Sequence, residues 1–220
     1  MSEADRLQAL RERIDALDRQ LQTLISERAR CAQQVGAIKQ AAGVTGNFYR
    51  PEREAQVLRR VIEANPGPLS SEEMARLFRE IMSACLALEE PLKIAFLGPE
   101  GTFTQAAALK HFGKSIRSIP LRAIDEVFRE VEAGSADYGV VPVENSTEGV
   151  VNHTLDMFLQ SPLRICGEVQ MRINHHLLTH ALELTAVHRI YSHRQSLAQC
   201  REWLDANMPR VEQIEVSSNG

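Results

Sequence analysis

The first forty residues carry an apolar stripe that recurs every three or four positions. Its members are Leu7, Leu10, Ile14, Leu17, Leu21, Leu24, Cys31, Val35 and Ile38. This spacing predicts one long amphipathic helix from about Asp5 to Ala41. A helix of roughly 37 residues is about 55 Å long, whereas a compact unit of about 90 residues has a radius of gyration near 12 Å. Because the helix cannot bury its stripe within its own domain, we expect an intertwined dimer in which two such helices pack together.

Turn residues divide the rest of the first ninety residues into two shorter helices. Gly43 ends the long helix, and Pro51 opens a second one over about 52–64. An Asn-Pro-Gly-Pro turn closes it. A serine cap with an acidic first turn then begins a third helix that runs to about Leu88. The N-terminal unit is therefore predicted to contain three helices.

The sequence pattern changes near Pro91, which predicts two domains, 1–91 and 92–220. Beyond this point β-branched clusters alternate with helical stretches. Strands are predicted near 93–97, 115–119, 138–141, 164–173, 175–179, 189–191 and 211–216, and helices near 102–112, 124–133, 150–159 and 195–206. Such alternation is typical of an α/β domain with a parallel or mixed sheet.

Composition excludes several functional classes. The chain is 44% hydrophobic and 25% charged with a net charge of -4, so neither disorder nor binding to nucleic acid or an anionic membrane is indicated. No apolar run reaches the roughly 18 to 20 residues of a membrane span, and no signal peptide is evident, so we expect a cytoplasmic protein. The four cysteines are far apart and favour reduced thiols over disulfides or a metal site.

The long helix places cations where its pattern calls for apolar residues. Arg28 falls on the stepping from Leu24 to Cys31, and Lys39 lies 11 residues later, about 20° around the helix. A buried guanidinium needs an acid or an anionic ligand, so the pair could bind one small anion. A polar layer that fixes helix register is the alternative. Arg11, about 25 Å away from Arg28, could reach the same ligand only from a partner chain.

Several segments of the first ninety residues together match the sequence pattern of a known family. The segments that carry it are Leu10-Arg11-Glu-Arg-Ile-Asp-Ala-Leu-Asp18, Glu27-Arg28, Val35-Gly36-x-x-Lys39, Pro51-Glu-Arg53-Glu54 and Arg76-Leu-Phe. Residues 5–90 thereby resemble the all-helical chorismate mutases, whose active site is shared between the subunits of an intertwined dimer. The resemblance implies rearrangement of chorismate to prephenate without a cofactor.

The same resemblance implies a role for each charged position. Arg11 of one chain and Arg28 of the other would bind the two carboxylates of chorismate. Lys39 would donate a hydrogen bond to the breaking ether oxygen. Arg53, together with Glu54, would orient the ring hydroxyl.

The sequence departs from the usual pattern of that family in two places. Arg50 replaces an acid, and the last helix carries Cys85 and Glu89 where relatives often carry a hydroxyl residue and a Gln or Glu. A glutamate beside the ether oxygen can donate a hydrogen bond only in its protonated form. We assign Glu89 this role. A solvated acid at the helix end is the alternative.

Three segments of the α/β half place polar groups between a strand and a helix. They are the glycine-rich turn from Gly98 to Gln105, the acid-amide loop from Pro142 to Gly149, and the stretch from Ser192 to Cys200. The first lacks the lysine of a P-loop and the third glycine of a dinucleotide fingerprint, and it fits a tight turn capped by Thr102 as well as an anion site. The adjacent His175 and His176 are more typical of structural positions.

Together these segments resemble prephenate dehydratase, whose domain is similar to a two-lobed periplasmic-type binding fold with the active site in its cleft. The resemblance implies that prephenate is converted to phenylpyruvate, carbon dioxide and water, as in the bifunctional enzymes of phenylalanine biosynthesis that join the two activities. The residues implied in this site are Glu144, Asn145, Ser192 and Gln199, with Gly101 and Thr102 nearby. Arg194 and Ser196 replace the proline and alanine that are usual in the family.

The C-terminal residues 217–220 read as a turn into a further helix. Dehydratases of this kind continue with a Thr-Arg-Phe segment and a phenylalanine-binding ACT domain, so we expect this chain to be an incomplete dehydratase in which the second activity and feedback inhibition need those segments. The alternative to an enzyme is a helical dimerisation arm joined to a small-molecule sensor lobe. Arg11, Arg28 and Lys39 argue against it, because a dimerisation arm has no need of three cations on its packing surface.

Overall fold

The computed structural model describes residues 2–43, 49–145 and 149–216, and they form two compact units. The first unit comprises Met1–Leu92 and Phe112–Arg117, and the second comprises Lys93–His111 and Ser118–Gly220. No helix in the described part of the chain is both long and apolar enough to cross a membrane.

A single helix of 39 residues, α1, spans Glu3–Ala41. Ser2 caps it by accepting a hydrogen bond from the backbone of Asp5, whose carboxylate in turn accepts one from the backbone of Ser2. Gly43 follows the helix with a φ of 72°, a left-handed conformation that glycine adopts without strain. The apolar stripe of α1 is exposed along its whole length within one chain, from Leu7 to Ile38.

Two shorter helices complete the first unit. Helix α2 spans Pro51–Glu63, with proline at its first position, and α3 spans Ser71–Ala87, with Ser70 as its cap. They pack against each other, and α3 also contacts α1. The C-terminal half of α1, the start of α2 and the end of α3 therefore meet around one small volume.

The second unit begins with a three-stranded sheet. Its elements are β1 (Lys93–Leu97), α4 (Phe103–Phe112), β2 (Arg117–Leu121), α5 (Ile124–Glu132) and β3 (Tyr138–Val140). The strand order is β2-β1-β3, and β1 runs parallel to β3 with Phe96 opposite Val140. The central strand β1 is buried through Ile94, Ala95 and Phe96, as its continuous apolar run predicts.

The remaining elements form two smaller sheets and their helices. They are β4 (Glu144–Asn145), β5 (Gly149–Val150), α6 (Asn152–Gln160), β6 (Arg189–His193), α7 (Arg194–Gln199), α8 (Arg201–Asn207) and β7 (Glu212–Val216). Strands β4 and β5 pair antiparallel, and β6 pairs with β7 in parallel. Ile190, Leu197, Leu204 and Met208 form the apolar cluster under the β6–β7 pair.

Three elements predicted for this unit differ from the structure. The strands expected at 164–173 and 175–179 do not form, because residues 161–183 have no ladder partner within the described part of the chain and a strand needs one. The helix expected at 195–206 is divided into α7 and α8 at Cys200, whose ψ of 2° departs from helical geometry. The turn predicted at 217–220 and residues 146–148 of the acid-amide loop lie outside the described residues.

Candidate functional site

A cavity of about 270 Å³ lies where α1, α2 and α3 of the first unit meet. Six of the residues that the sequence singles out line it together: Arg28, Lys39, Arg53, Glu54, Cys85 and Glu89. Five of them belong to the three helices, and Glu89 follows the end of α3. The cavity is thus the site at which six of the seven predicted functional side chains of this unit converge, Arg11 being the exception.

The geometry of α1 brings its two cations to this cavity. Arg28 and Lys39 are half-buried on a helix that is mostly exposed, and the residue before Lys39, Ile38, faces solvent. Their separation of 11 residues is close to three helical turns, so both side chains lie on one face. The same face carries Ala32 and Val35, which supply apolar lining between the charges.

The cavity is strongly cationic. Arg28, Lys39, Arg50 and Arg53 line it against two acids, Glu54 and Glu89, which leaves an excess of two positive formal charges (four minus two) among the described lining residues. A small molecule with two carboxylates matches this excess. Arg50 lies at the N-cap of α2, so the position that departs from the family pattern adds a cation to the cavity wall.

Glu54 is held by a residue that the sequence analysis missed. Nε of Arg79 on α3 donates a hydrogen bond to Oε1 of Glu54 at 3.4 Å, and only 28% and 16% of the two side chains are exposed. Ala75, Arg79 and Met82 follow one another at helical spacing, and Ala75 and Met82 face inward. A cation at an inward-facing position is the signal that marked Arg28, and it could also have marked Arg79.

Glu89 has an orphaned carboxyl oxygen. Its Oε2 is buried and has no hydrogen-bond partner within the part of the chain that the structure describes. Leaving such an atom unsatisfied costs about 1 to 3 kcal/mol, which a ligand at this point could relieve. Cys85, one turn earlier, is almost fully buried beside it.

Aromatic and aliphatic residues close one wall of the cavity. Tyr49 and Phe112 meet edge to face with ring centroids 5.9 Å apart, and Leu92 lies next to them. Phe112 belongs to the first unit although it is distant in sequence from the three helices. No local pattern marks it, so sequence reasoning could not have found it.

Arg11 does not reach this cavity. It lies 17 residues before Arg28 on the same helix and is exposed, which agrees with the separation of about 25 Å expected from the sequence. A second cavity of about 340 Å³ between α2 and α3 has Arg60 as its one charged residue among the described residues that line it. It lacks the convergent polar groups of a substrate site.

In the second unit the structure joins two predicted residues through side chains. Nε2 of Gln199 donates a hydrogen bond to Oδ1 of Asn145 at 3.0 Å. Oε1 of Gln199 lies 2.5 Å from Nε2 of His175, whose ring meets Phe103 edge to face at 6.1 Å. The three predicted segments are thus linked by His175, which the sequence analysis treated as structural.

The other predicted residues of this unit lie in different surroundings. The backbone N–H of Gly101 donates to the side chain of Gln105 at 2.6 Å. The hydroxyl of Thr102 donates to the carbonyl of Leu97 at 3.2 Å and accepts from the backbone of Gln105 at 3.4 Å. These bonds are those of a capped tight turn, the alternative that the sequence left open.

Glu144 and Ser192 complete the predicted set. Glu144 is exposed in β4 opposite Val150, and Ser192 is half-buried in β6 opposite Glu215. Within the described residues, no group of three or more His, Cys, Asp or Glu side chains is placed to hold a metal ion.

Comparison with known proteins identifies two segments. Residues 10–90 match the family model described as chorismate mutase type II, and residues 94–220 match the one described as prephenate dehydratase. Bifunctional chorismate mutase/prephenate dehydratases from Stutzerimonas stutzeri and Pseudomonas aeruginosa are 66% and 64% identical over 223 residues, which cover 100% of this chain and 61% of each relative. The chain therefore spans about three fifths of the length of these curated relatives.

Solved structures match each part separately. A chorismate mutase from Thermus thermophilus is 40% identical, with a TM-score of 0.37, and the match covers 39% of this chain and 94% of that one. A prephenate dehydratase from Arthrobacter aurescens in complex with L-Phe is 34% identical, with a TM-score of 0.46, over 58% of this chain and 43% of that one.

Proposed function

The chain belongs to the prephenate dehydratase family and carries a chorismate mutase type II domain ahead of its dehydratase domain, and from this premise we propose that it catalyses two successive steps of phenylalanine biosynthesis. The helical domain would convert chorismate to prephenate, and the α/β domain would convert prephenate to phenylpyruvate. We place the boundary between the domains at residues 91 and 92. A cytoplasmic location remains a prediction.

The observation that carries the mutase proposal is the cationic cavity of the first unit. Chorismate has two carboxylates and rearranges in one concerted step, so its enzyme needs no nucleophile or cofactor. It needs only to hold the reactive conformer and to stabilise negative charge on the breaking ether oxygen. The excess of positive formal charge, which is two with both acids ionised and three (four minus one) with Glu89 protonated, and the volume of about 270 Å³ suit a compact dianion.

The resemblance to chorismate mutases implies a role for each of these residues. We propose that Arg28 binds one carboxylate with its two parallel N–H donors. Lys39 and protonated Glu89 would donate hydrogen bonds to the ether oxygen, and Cys85 would pack beside the substrate. The pair of Arg53 and Glu54 would orient the ring hydroxyl.

We further propose an intertwined homodimer in which Arg11 of each chain completes the site of the other. The exposed stripe on α1 and the distance between Arg11 and Arg28 support it. Mixing Arg11→Ala with Arg28→Ala chains tests this directly. A heterodimer would hold one site with both arginines and one with neither, so an equimolar mixture that exchanges subunits should recover about a quarter of wild-type activity. No recovery after verified subunit exchange would contradict the shared site.

In the dehydratase domain, we propose that Asn145 and Gln199 bind prephenate as a hydrogen-bonded pair. Glu144 would contribute from β4 and Ser192 from β6, with Gly101 and Thr102 at the edge of a cleft between two lobes. The reaction expels carbon dioxide and the ring hydroxyl, so the site must donate a proton to the hydroxyl while leaving the ring carboxylate free to depart. The Asn145–Gln199 hydrogen bond is the observation that supports this site.

One assay separates the two activities from the non-catalytic alternative. Loss of chorismate absorbance reports the mutase step, and phenylpyruvate formed with and without an acid treatment distinguishes prephenate from the second product. We expect chorismate to be consumed. Binding of chorismate without turnover would favour the sensor, since a sensor needs only affinity.

A further inference from the structure

Gly36 is the one buried residue among those described in α1. Its α-carbon faces the side chain of Glu89, which follows the end of α3. A β-carbon at position 36 would lie 2.7 Å from both Cδ and Oε2 of Glu89 and 2.8 Å from its Cγ. Since real β-carbons essentially never approach other atoms so closely, the carboxyl can occupy its present place only because residue 36 has no side chain.

A glycine at this position runs against the local preference of the chain. The interior of a long helix favours alanine over glycine, and α1 is otherwise rich in good helix formers. Neither a turn nor a left-handed φ calls for glycine here, because Gly36 is helical and more than one turn from the end of α1. The close approach of Glu89 is the physical reason that the structure offers.

The carboxyl that rests on Gly36 is the one with the orphaned oxygen. Oε2 of Glu89 is buried without a partner in the described chain, and Glu89 lines the cavity together with Lys39, one turn beyond Gly36 on α1. The backbone of α1 at Gly36 therefore sets how far the carboxyl sits from the lysine and from the centre of the cavity.

We propose that Gly36 is a positioning residue for the mutase reaction, which holds the carboxyl of Glu89 against α1 so that it meets the ether oxygen of the substrate. This inference rests on the proposed mutase function. A methyl group at position 36 would move the carboxyl from 2.7 Å to at least the 3.4 Å of ordinary contact, a displacement of about 0.7 Å (3.4 minus 2.7). Misplacing a catalytic group by about 1 Å can cost about a hundredfold in rate.

The test compares chorismate turnover by the 220-residue chain and its Gly36→Ala variant. We expect kcat to fall by about tenfold to a hundredfold while KM changes by less than about twofold, because the carboxylate-binding arginines are untouched. The midpoint of thermal unfolding should not fall, since alanine is the better helix former. A variant Ala37→Ser, which adds one atom at the exposed neighbouring position, should retain wild-type kcat.

A double-mutant cycle with Glu89→Ala shows whether Gly36 acts through Glu89. Once the carboxyl is absent, Gly36→Ala should change kcat by less than about twofold. An unchanged kcat in Gly36→Ala, or an equal loss with and without Glu89, would overturn the positioning role while leaving the proposed mutase function intact. Absence of turnover in the wild-type chain would instead contradict the proposed function, and this inference with it.

Loss of folding in Gly36→Ala has its own check. Adding Glu89→Asp shortens the opposing side chain by one methylene and removes the overlap. Restored folding in that double variant would support the contact between the two residues, and its failure would contradict it.

Discussion

The ion pair between Arg79 and Glu54 can show whether burial or distance determines how much an ion pair contributes to the free energy of unfolding. Replacing Arg79 with methionine keeps much of the length of the side chain and removes its charge. At 3.4 Å and an effective dielectric constant of about 20, the bare attraction is about 5 kcal/mol, and the cost of desolvating both groups offsets much of it. With 28% and 16% of the two side chains exposed, we expect Arg79→Met to lower the free energy of unfolding by about 1 to 3 kcal/mol.

A matched control lies one turn earlier on the same helix. Arg76 and Glu73 form a shorter pair, at 2.7 Å, but their side chains are 57% and 54% exposed. Water and salt screen such a pair, so Arg76→Met should be indistinguishable from wild type in the same measurement. Urea unfolding followed by circular dichroism supplies both values. Because distance alone predicts the opposite order, a larger loss in Arg76→Met than in Arg79→Met would refute the reasoning.

The two variants should also differ in catalysis. Glu54 lines the cavity and Glu73 does not, so releasing Glu54 should lower kcat/KM for chorismate by about tenfold, equivalent to about 1.4 kcal/mol. Arg76→Met should retain wild-type kinetics. Equal kinetics in the two variants would remove Glu54 from the proposed substrate contacts without affecting the stability argument.

Three further predictions test other features of the chain. Glu89→Gln keeps a hydrogen-bond donor beside the ether oxygen, so it should retain a higher kcat than Glu89→Ala; equal kcat values in the two variants would rule out this role. Gly139→Ala places a β-carbon 2.9 Å from Cγ1 of Val127, and this overpacking should lower the free energy of unfolding in urea by about 1 to 3 kcal/mol. Gly134→Ala meets open space, but its φ of 71° is strained for alanine, so it should lower the same free energy by about 1 to 2 kcal/mol. Hydrogen bonds from the backbone N–H and the hydroxyl of Ser2 lower the pKa of Asp5. The stabilisation that Asp5 gives to the N-terminus of α1 is therefore present above the unfolded pKa and is lost as pH falls through the folded pKa. Hydrogen exchange in the first turn should accelerate over that pH range, and Asp5→Asn should abolish the pH dependence.

Local patterns were sufficient to predict the helices of the first unit. The stripe from Leu7 to Ile38 predicted α1 to within two residues at its start, and Arg28 stood out because it interrupts that stripe. Lys39 followed from helical geometry alone. Both features depend on helical periodicity. Residues three or four positions apart lie on the same face of a helix, so their placement can be read from the sequence alone.

Contacts between distant elements could not be obtained in this way. The links of Arg79 to Glu54, Gly36 to Glu89 and His175 to Gln199 each join residues that are 24 or more positions apart, and no pattern in either segment specifies its partner. The strands predicted at 164–173 and 175–179 fail for the same reason. Apolar and β-branched residues favour an extended chain, but a strand exists only where another strand satisfies its backbone.

The sequence by itself thus determined the helices of the first unit, the α/β character of the second, and the residue types of the two proposed substrate sites. Only the tertiary structure decided which of those residues meet: six of them around one cavity, Asn145 with Gln199, and Arg11 at a distance from the cavity. The physical reason is that side-chain periodicity is fixed by bonds within a few residues. The approach of Glu89 to Gly36 within 2.7 Å depends instead on how whole helices pack, which is the sum of many weak contacts along the chain.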